Sequence, residues 1–76
     1  MTLKRLRKIN NVKQKYIAEV LNVSRIAIGN YESGIRQPKI EQLPKLATVL
    51  NCSIEELVFA LIETKQQTKE QRNGNR

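Results

Sequence analysis

The chain has 76 residues, enough for one small domain that buries roughly 60% of the surface its unfolded form exposes and too few for a catalytic cleft of any size. Fourteen Lys and Arg against seven Asp and Glu leave a net charge of +7, an imbalance that suits a polyanion such as nucleic acid or an acidic membrane surface better than a neutral metabolite. One cysteine and no histidine exclude an internal disulfide and any zinc ligand set, so no metal or other cofactor is expected.

Leu3, Leu6 and Ile9 recur at a spacing of three behind Thr2, a possible N-cap, and predict a first helix over residues 3–10. Asn11 suits a left-handed stop. Tyr16, Ile17, Val20 and Leu21 predict a second helix over 14–21, which ends at Asn22. A third helix begins at Ser24, whose hydroxyl can accept from a free amide of the first turn, and stops at Glu32 or Ser33 ahead of Gly34. "SGIRQPK" is loop by composition.

Leu43, Leu46, Ala47 and Leu50 form the apolar face of a fourth helix. Proline is tolerated at a helix start and not in its interior, so regular helix is expected from near Pro44, after a looser turn over Ile40 to Leu43. "SIEEL" is a capping box in which Ser53 and Glu56 satisfy each other's free amides. It opens a fifth helix with Ile54, Leu57, Val58, Leu61 and Ile62 on its apolar face. The apolar pattern ends there, and residues 63–76 read as a polar, flexible tail behind a domain over 1–62. The expected fold is all-α and compact, with five helices and no strand.

Residues 1–48 carry ten basic and three acidic side chains and residues 49–76 four of each, so the excess charge lies before Val49. No apolar run approaches the roughly 20 residues of a membrane span. "MTLKRLRKI" also lacks the continuous apolar core of a signal peptide, and a cytoplasmic protein is expected. The bland reading of Cys52, a small buried apolar residue, is preferred to a reactive thiol.

Only Asn22 and Val23 separate the second and third helices, the short connection of a helix-turn-helix over about 14–32. With that spacing, "LKRLRKINNVKQKYIAEVLNVSRIAIGNYESGIRQP" and the following "LPKLATVLNCSIEEL" resemble the phage Cro and C1 repressor type of helix-turn-helix, the Xre family, over residues 3–57. The resemblance implies a lambda-repressor-like domain that binds double-stranded DNA. Ala18, Val23, Ile28 and Tyr31 fall on its core positions, and Arg7 and Glu32 on a pair that forms a partly buried ion pair. Arg25, Ile26 and Asn30 fall on its base-reading positions. Their chemistry suits guanine, a thymine methyl and adenine respectively, although an exposed Arg and Asn by themselves would more often be solvated surface.

Gln14 matches the family's phosphate-binding glutamine at the start of the second helix. Ser24, Ser33, Arg36 and Lys39 are assigned to phosphates, contacts that fix register without reading sequence. Lys4, Arg5 and Lys8 add to the field and read otherwise as a solvated face. Three positions depart from the pattern or strain it. Lys13 replaces the usual serine or threonine cap, Gly29 lies inside the third helix, and Pro44 blurs the start of the fourth.

The expected function is a sequence-specific double-stranded DNA-binding transcriptional regulator, a repressor acting as a homodimer on a palindromic operator, with no enzyme chemistry. No small-molecule ligand is evident. Val58, Phe59 and Ile62 spread over a wider arc than four short helices cover and are the expected dimer interface. The bland alternative is that Phe59 folds back on the domain. A rival function is a protein-interaction module, an antitoxin or antirepressor. Docking on a membrane through "LKRLRKIN" conflicts with the core's need for those leucines, and an RNA reader lacks a stacking platform, the aromatics being Tyr16, Tyr31 and Phe59.

Overall fold

The computed structural model describes residues 1–74, with side chains over residues 1–67. It is all-helical: α1 (Leu3–Ile9), α2 (Gln14–Leu21), α3 (Arg25–Ser33), a single 3-10 turn (Ile40–Gln42), α4 (Leu43–Val49) and α5 (Ile54–Gly74). α2 packs on α3 and α4, and α5 lies against α1, α3 and α4. The core between them holds Leu3 and Leu6 of α1, Ile17, Ala18 and Leu21 of α2, Ile28 and Tyr31 of α3, and Leu46 and Ala47 of α4. Leu50 and Leu57, Ala60 and Leu61 of α5 complete it.

The same device ends α1, α2 and α4. Asn11, Asn22 and Asn51 have φ of 61°, 57° and 54°, the left-handed conformation that asparagine tolerates better than most residues. The next residue donates its N–H five positions back: Val12 to Arg7 O (3.2 Å), Val23 to Ala18 O (2.9 Å) and Cys52 to Ala47 O (3.0 Å). These are Schellman closures, and each carries the apolar contact that goes with them, since Val12, Val23 and Cys52 all pack against the core. Burial pushes the Cys52 thiol pKa up, and the Glu56 carboxylate adds to the shift; both disfavour the reactive thiolate. α3 ends on Gly34 instead, at φ 80°.

Five residues expected on apolar stripes are exposed: Ile9, Tyr16, Ile54, Val58 and Ile62. A spacing of three drifts by roughly 60° per step around a helix, so Ile9 has rotated away from Leu3 and Leu6 by the last residue of α1. In α2 the inward face is Ile17, Ala18 and Leu21. Tyr16 is left with Val20 beside a shallow surface cleft against Pro44, Lys45, Thr48 and Val49 of α4. Ile54 opens α5 at the surface. Leu43, expected inside, is half-buried.

Pro44 sits in the first turn of α4, where its missing N–H leaves no bond unmade. The capping box of α5 forms in both directions, Ser53 N to Glu56 Oε1 at 2.9 Å and Glu56 N to Ser53 Oγ at 3.0 Å.

Where the apolar pattern stops at Ile62, α5 continues to Gly74. Thr64 is 3% exposed. It extends the inward spacing of Leu57, Ala60 and Leu61 by one more turn. Its hydroxyl oxygen accepts the Leu3 N–H (2.9 Å) and its proton goes to Ala60 O (2.8 Å). A first-turn amide of α1 is thereby satisfied from α5, and the Met1 amino group pairs with Glu63 alongside.

Candidate nucleic-acid interface

α3 turns Ile28 and Tyr31 into the core. With 3.6 residues per turn, Arg25, Ile26, Gly29, Asn30 and Ser33 then share the outer face. Arg25 is exposed, Ile26 is 76% exposed, and Gly29 and Asn30 are half-buried. An isoleucine exposed between an arginine and an asparagine is unfavourably hydrated, a cost that contact with an apolar group would relieve. Ser24 starts the helix, and its Oγ accepts from Ala27 N at 3.1 Å.

Gly29 has no structural reason inside the fold. A Cβ built on it meets nothing within 4 Å, and a mid-helix glycine costs about 0.8–1 kcal/mol relative to alanine.

Gln14 opens α2 next to the start of α3. Its Nε2 donates to Glu32 Oε1 at 2.9 Å. The same carboxylate takes a bidentate pair from Arg7, through Nε to Oε2 and Nη2 to Oε1 (3.3 Å). Arg7 Nη1 meanwhile donates to Val12 O at 3.0 Å, at the Schellman closure of α1. The Arg7 and Glu32 side chains are 12% and 5% exposed, so one partly buried carboxylate joins α1, α2 and α3. Among the described residues, the second amide hydrogen and the carbonyl oxygen of Gln14 have no hydrogen-bond partner.

Arg7, Lys13, Gln14, Lys15 and Arg25 line a cleft of about 270 Å3 at the N-terminus of α2. Lys13 occupies the N-cap position without a side-chain cap bond. It therefore leaves the first amides of α2 open, at the positive end of the helix dipole. Arg7 is neutralised by Glu32, whereas no ion pair among the described residues engages Lys13, Lys15 or Arg25. Three cations and free amides converge where an anion would bind best. Lys15 was not among the residues expected to contribute, although the run "KQK" at a helix start was a readable signal.

The loop after α3 is braced from below. Arg36 N–H and the Ser33 hydroxyl both donate to Asn30 O, each at 3.2 Å. Gln42 Oε1 accepts from Lys39 N–H (2.8 Å) and from the Tyr31 hydroxyl (3.3 Å). Ser33, at the end of α3, and Arg36 and Lys39, on this loop, have exposed side chains. The structure thus brings Arg25, Ile26, Asn30, Gln14 and Ser24 onto adjoining surface, with Ser33, Arg36 and Lys39 following directly in the chain.

Val58, Phe59 and Ile62 of α5 are also exposed, Phe59 at 64%. Val58 and Ile62 line a groove of about 500 Å3 with Pro38, Ile40, Leu43 and Leu61, whereas Phe59 is not among its lining residues. No described helix is long and apolar enough to cross a membrane.

Residues 3–57 match the helix-turn-helix family model of the Cro/C1 type, and the chain belongs to that family. The chain is similar to the HTH-type transcriptional regulator AnsR of Bacillus subtilis (strain 168), with 36% identity over 56 residues. That alignment takes in 74% of this chain and 48% of the relative, so the chain spans about half the length of the curated relative it matches. No solved structure matches it.

Proposed function

We propose that the chain is a sequence-specific double-stranded DNA-binding transcriptional regulator, with α3 in the major groove and the α2 N-terminus and the loop after α3 on the flanking phosphates. The observation that carries this reading is the outward face of α3, where Arg25, Ile26 and Asn30 lie beside a cleft of unpaired cations and free helix amides. Arginine and asparagine can each make paired hydrogen bonds to one purine, and isoleucine can cover a thymine methyl. The family and the similarity to a transcriptional regulator support the same reading.

The test is titration of a labelled duplex with the chain over a range of salt concentrations. Log affinity falls linearly with log salt, by about 0.9 for each phosphate neutralised. Tight binding to a protein partner with no salt-dependent binding to duplex would favour an antitoxin or antirepressor.

The regulator acts as a repressor and as a homodimer, paired through Val58, Phe59 and Ile62 of α5. The support is the exposure of Phe59 together with an apolar groove lined by Val58, Ile62 and Ile40, the last 81% exposed, on a chain whose excess charge lies before Val49. Exposed apolar surface of this kind is a usual mark of an interface. Two-fold pairing requires half-sites about 34–36 Å apart, or a multiple of that. Ile62→Glu then sediments as a folded monomer while the native chain sediments as a dimer. A native monomer at concentrations well above its duplex affinity contradicts the dimer.

A further inference from the structure

Gly29 stands at the centre of the outward face of α3, one turn from Arg25 and from Ser33 and next to Asn30. Its φ is not positive, unlike that of Gly34, and its missing Cβ faces open space within the chain. Neither backbone conformation nor packing asks for glycine here, and glycine weakens a helix interior. A residue that harms the fold at the middle of a docking face is explained by what the face docks against.

We propose that Gly29 is a positioning residue for DNA readout, a gap in the side-chain layer of α3 into which the floor of the major groove fits. The inference rests on the reading of α3 as the base-reading helix. A helix with its side chains is roughly 10–12 Å across, and the groove is about 12 Å wide, so the fit has little slack. A methyl group at the centre of the face holds the helix back from the base edges. Arg25 and Asn30 flank that centre, and their paired hydrogen bonds need donor and acceptor within about 2.7–3.2 Å. A small retreat of the helix axis therefore weakens both contacts at once. Contacts from the loop to phosphate tolerate such a shift better, because lysine and arginine reach phosphates from many positions.

The experiment compares native chain, Gly29→Ala and Gly29→Val on two duplexes: one recovered by the native chain from a random-sequence pool, and one of unselected sequence. Thermal melting of each protein is followed in parallel. Gly29→Ala melts higher, by about 4–8 °C for a domain of this size. Its affinity for the selected duplex nevertheless falls about tenfold or more, and Gly29→Val falls further. Affinity for the unselected duplex changes much less, so specificity is lost while stability is gained. Selected-duplex affinity in Gly29→Ala equal to or above the native value overturns this inference alone and makes Gly29 merely tolerated. Failure of the native chain to bind duplex DNA at all overturns the reading of α3, and this inference with it.

Discussion

Gln14 and Glu32 are joined side chain to side chain, Nε2 to Oε1 at 2.9 Å, and the same carboxylate holds Arg7. The start of α2, which opens the basic cleft, is therefore fixed in orientation by the far end of α3. Removing the carboxylate strands a guanidinium that is largely withdrawn from water. Glu32→Ala is expected to destabilise the chain by about 3 kcal/mol, read by urea unfolding. The double variant Arg7→Met, Glu32→Leu should recover much of that loss, because no charge is left uncompensated. A Glu32→Ala loss below about 0.5 kcal/mol would mean that the pair is solvated like an ordinary surface pair.

Asn22 closes α2 in the left-handed conformation and commits the chain to the turn into α3. Asn22→Ala places a Cβ without a compensating polar group in that conformation and should cost about 1–2 kcal/mol, whereas Asn22→Gly should be close to neutral. Equal effects of the two substitutions in thermal melting would remove the backbone explanation.

Phosphate contacts are separable from base contacts by salt. Arg36→Ala and Lys39→Ala should each weaken binding to every duplex about equally and flatten the salt slope by about 0.9 per contact and subunit. Gln14→Ala should lower affinity and leave the slope unchanged, since the side chain is neutral. Lys15→Ala should behave like Arg36→Ala if the α2 cleft takes a phosphate. A loss confined to one sequence would instead make any of these a base contact.

The capping box makes stability depend on pH on the acid side. The Ser53 backbone N–H, and secondarily its hydroxyl interaction, hold the Glu56 carboxyl below its ordinary pKa. A carboxylate whose folded pKa is depressed adds stability that is present in full above its unfolded pKa and is lost as pH falls through the folded one. The native chain should therefore be more stable than Glu56→Gln at neutral pH, and the gap should close as pH drops through the carboxylate range. A gap that is constant with pH, measured by urea unfolding, would show that the charge is irrelevant.

Much of this architecture was legible because its signals are local. The Ser24 cap, the Ser53 and Glu56 box, Pro44 in the first turn of α4 and the glycine after α3 are short-range, and their structural counterparts lie where spacing places them. Asparagine before an apolar residue, at 11–12, 22–23 and 51–52, writes the Schellman closures three times. Only the first two helix stops were read from asparagine, because the third follows a helix whose start was blurred by Pro44. The continuation of α5 beyond Ile62 was not readable, because Thr64 is polar. Its burial depends on the Leu3 amide, 61 positions away in the chain. Gln14's bond to Glu32 was hidden for the same reason. Ile9 misled because steps of three residues rotate off the buried face, and Tyr16 because spacing names a face without saying how far neighbouring helices reach over it.

The most direct measurement is selection of bound duplexes from a random pool by the native chain and by Arg25→Ala and Asn30→Ala. A base-reading α3 predicts a two-fold-symmetric motif for the native chain. Each variant then loses preference at one position per half-site, by about 1–3 kcal/mol of discrimination, with binding to unselected duplex nearly intact. No enriched motif from the native chain, or the same motif from all three proteins, would contradict the account.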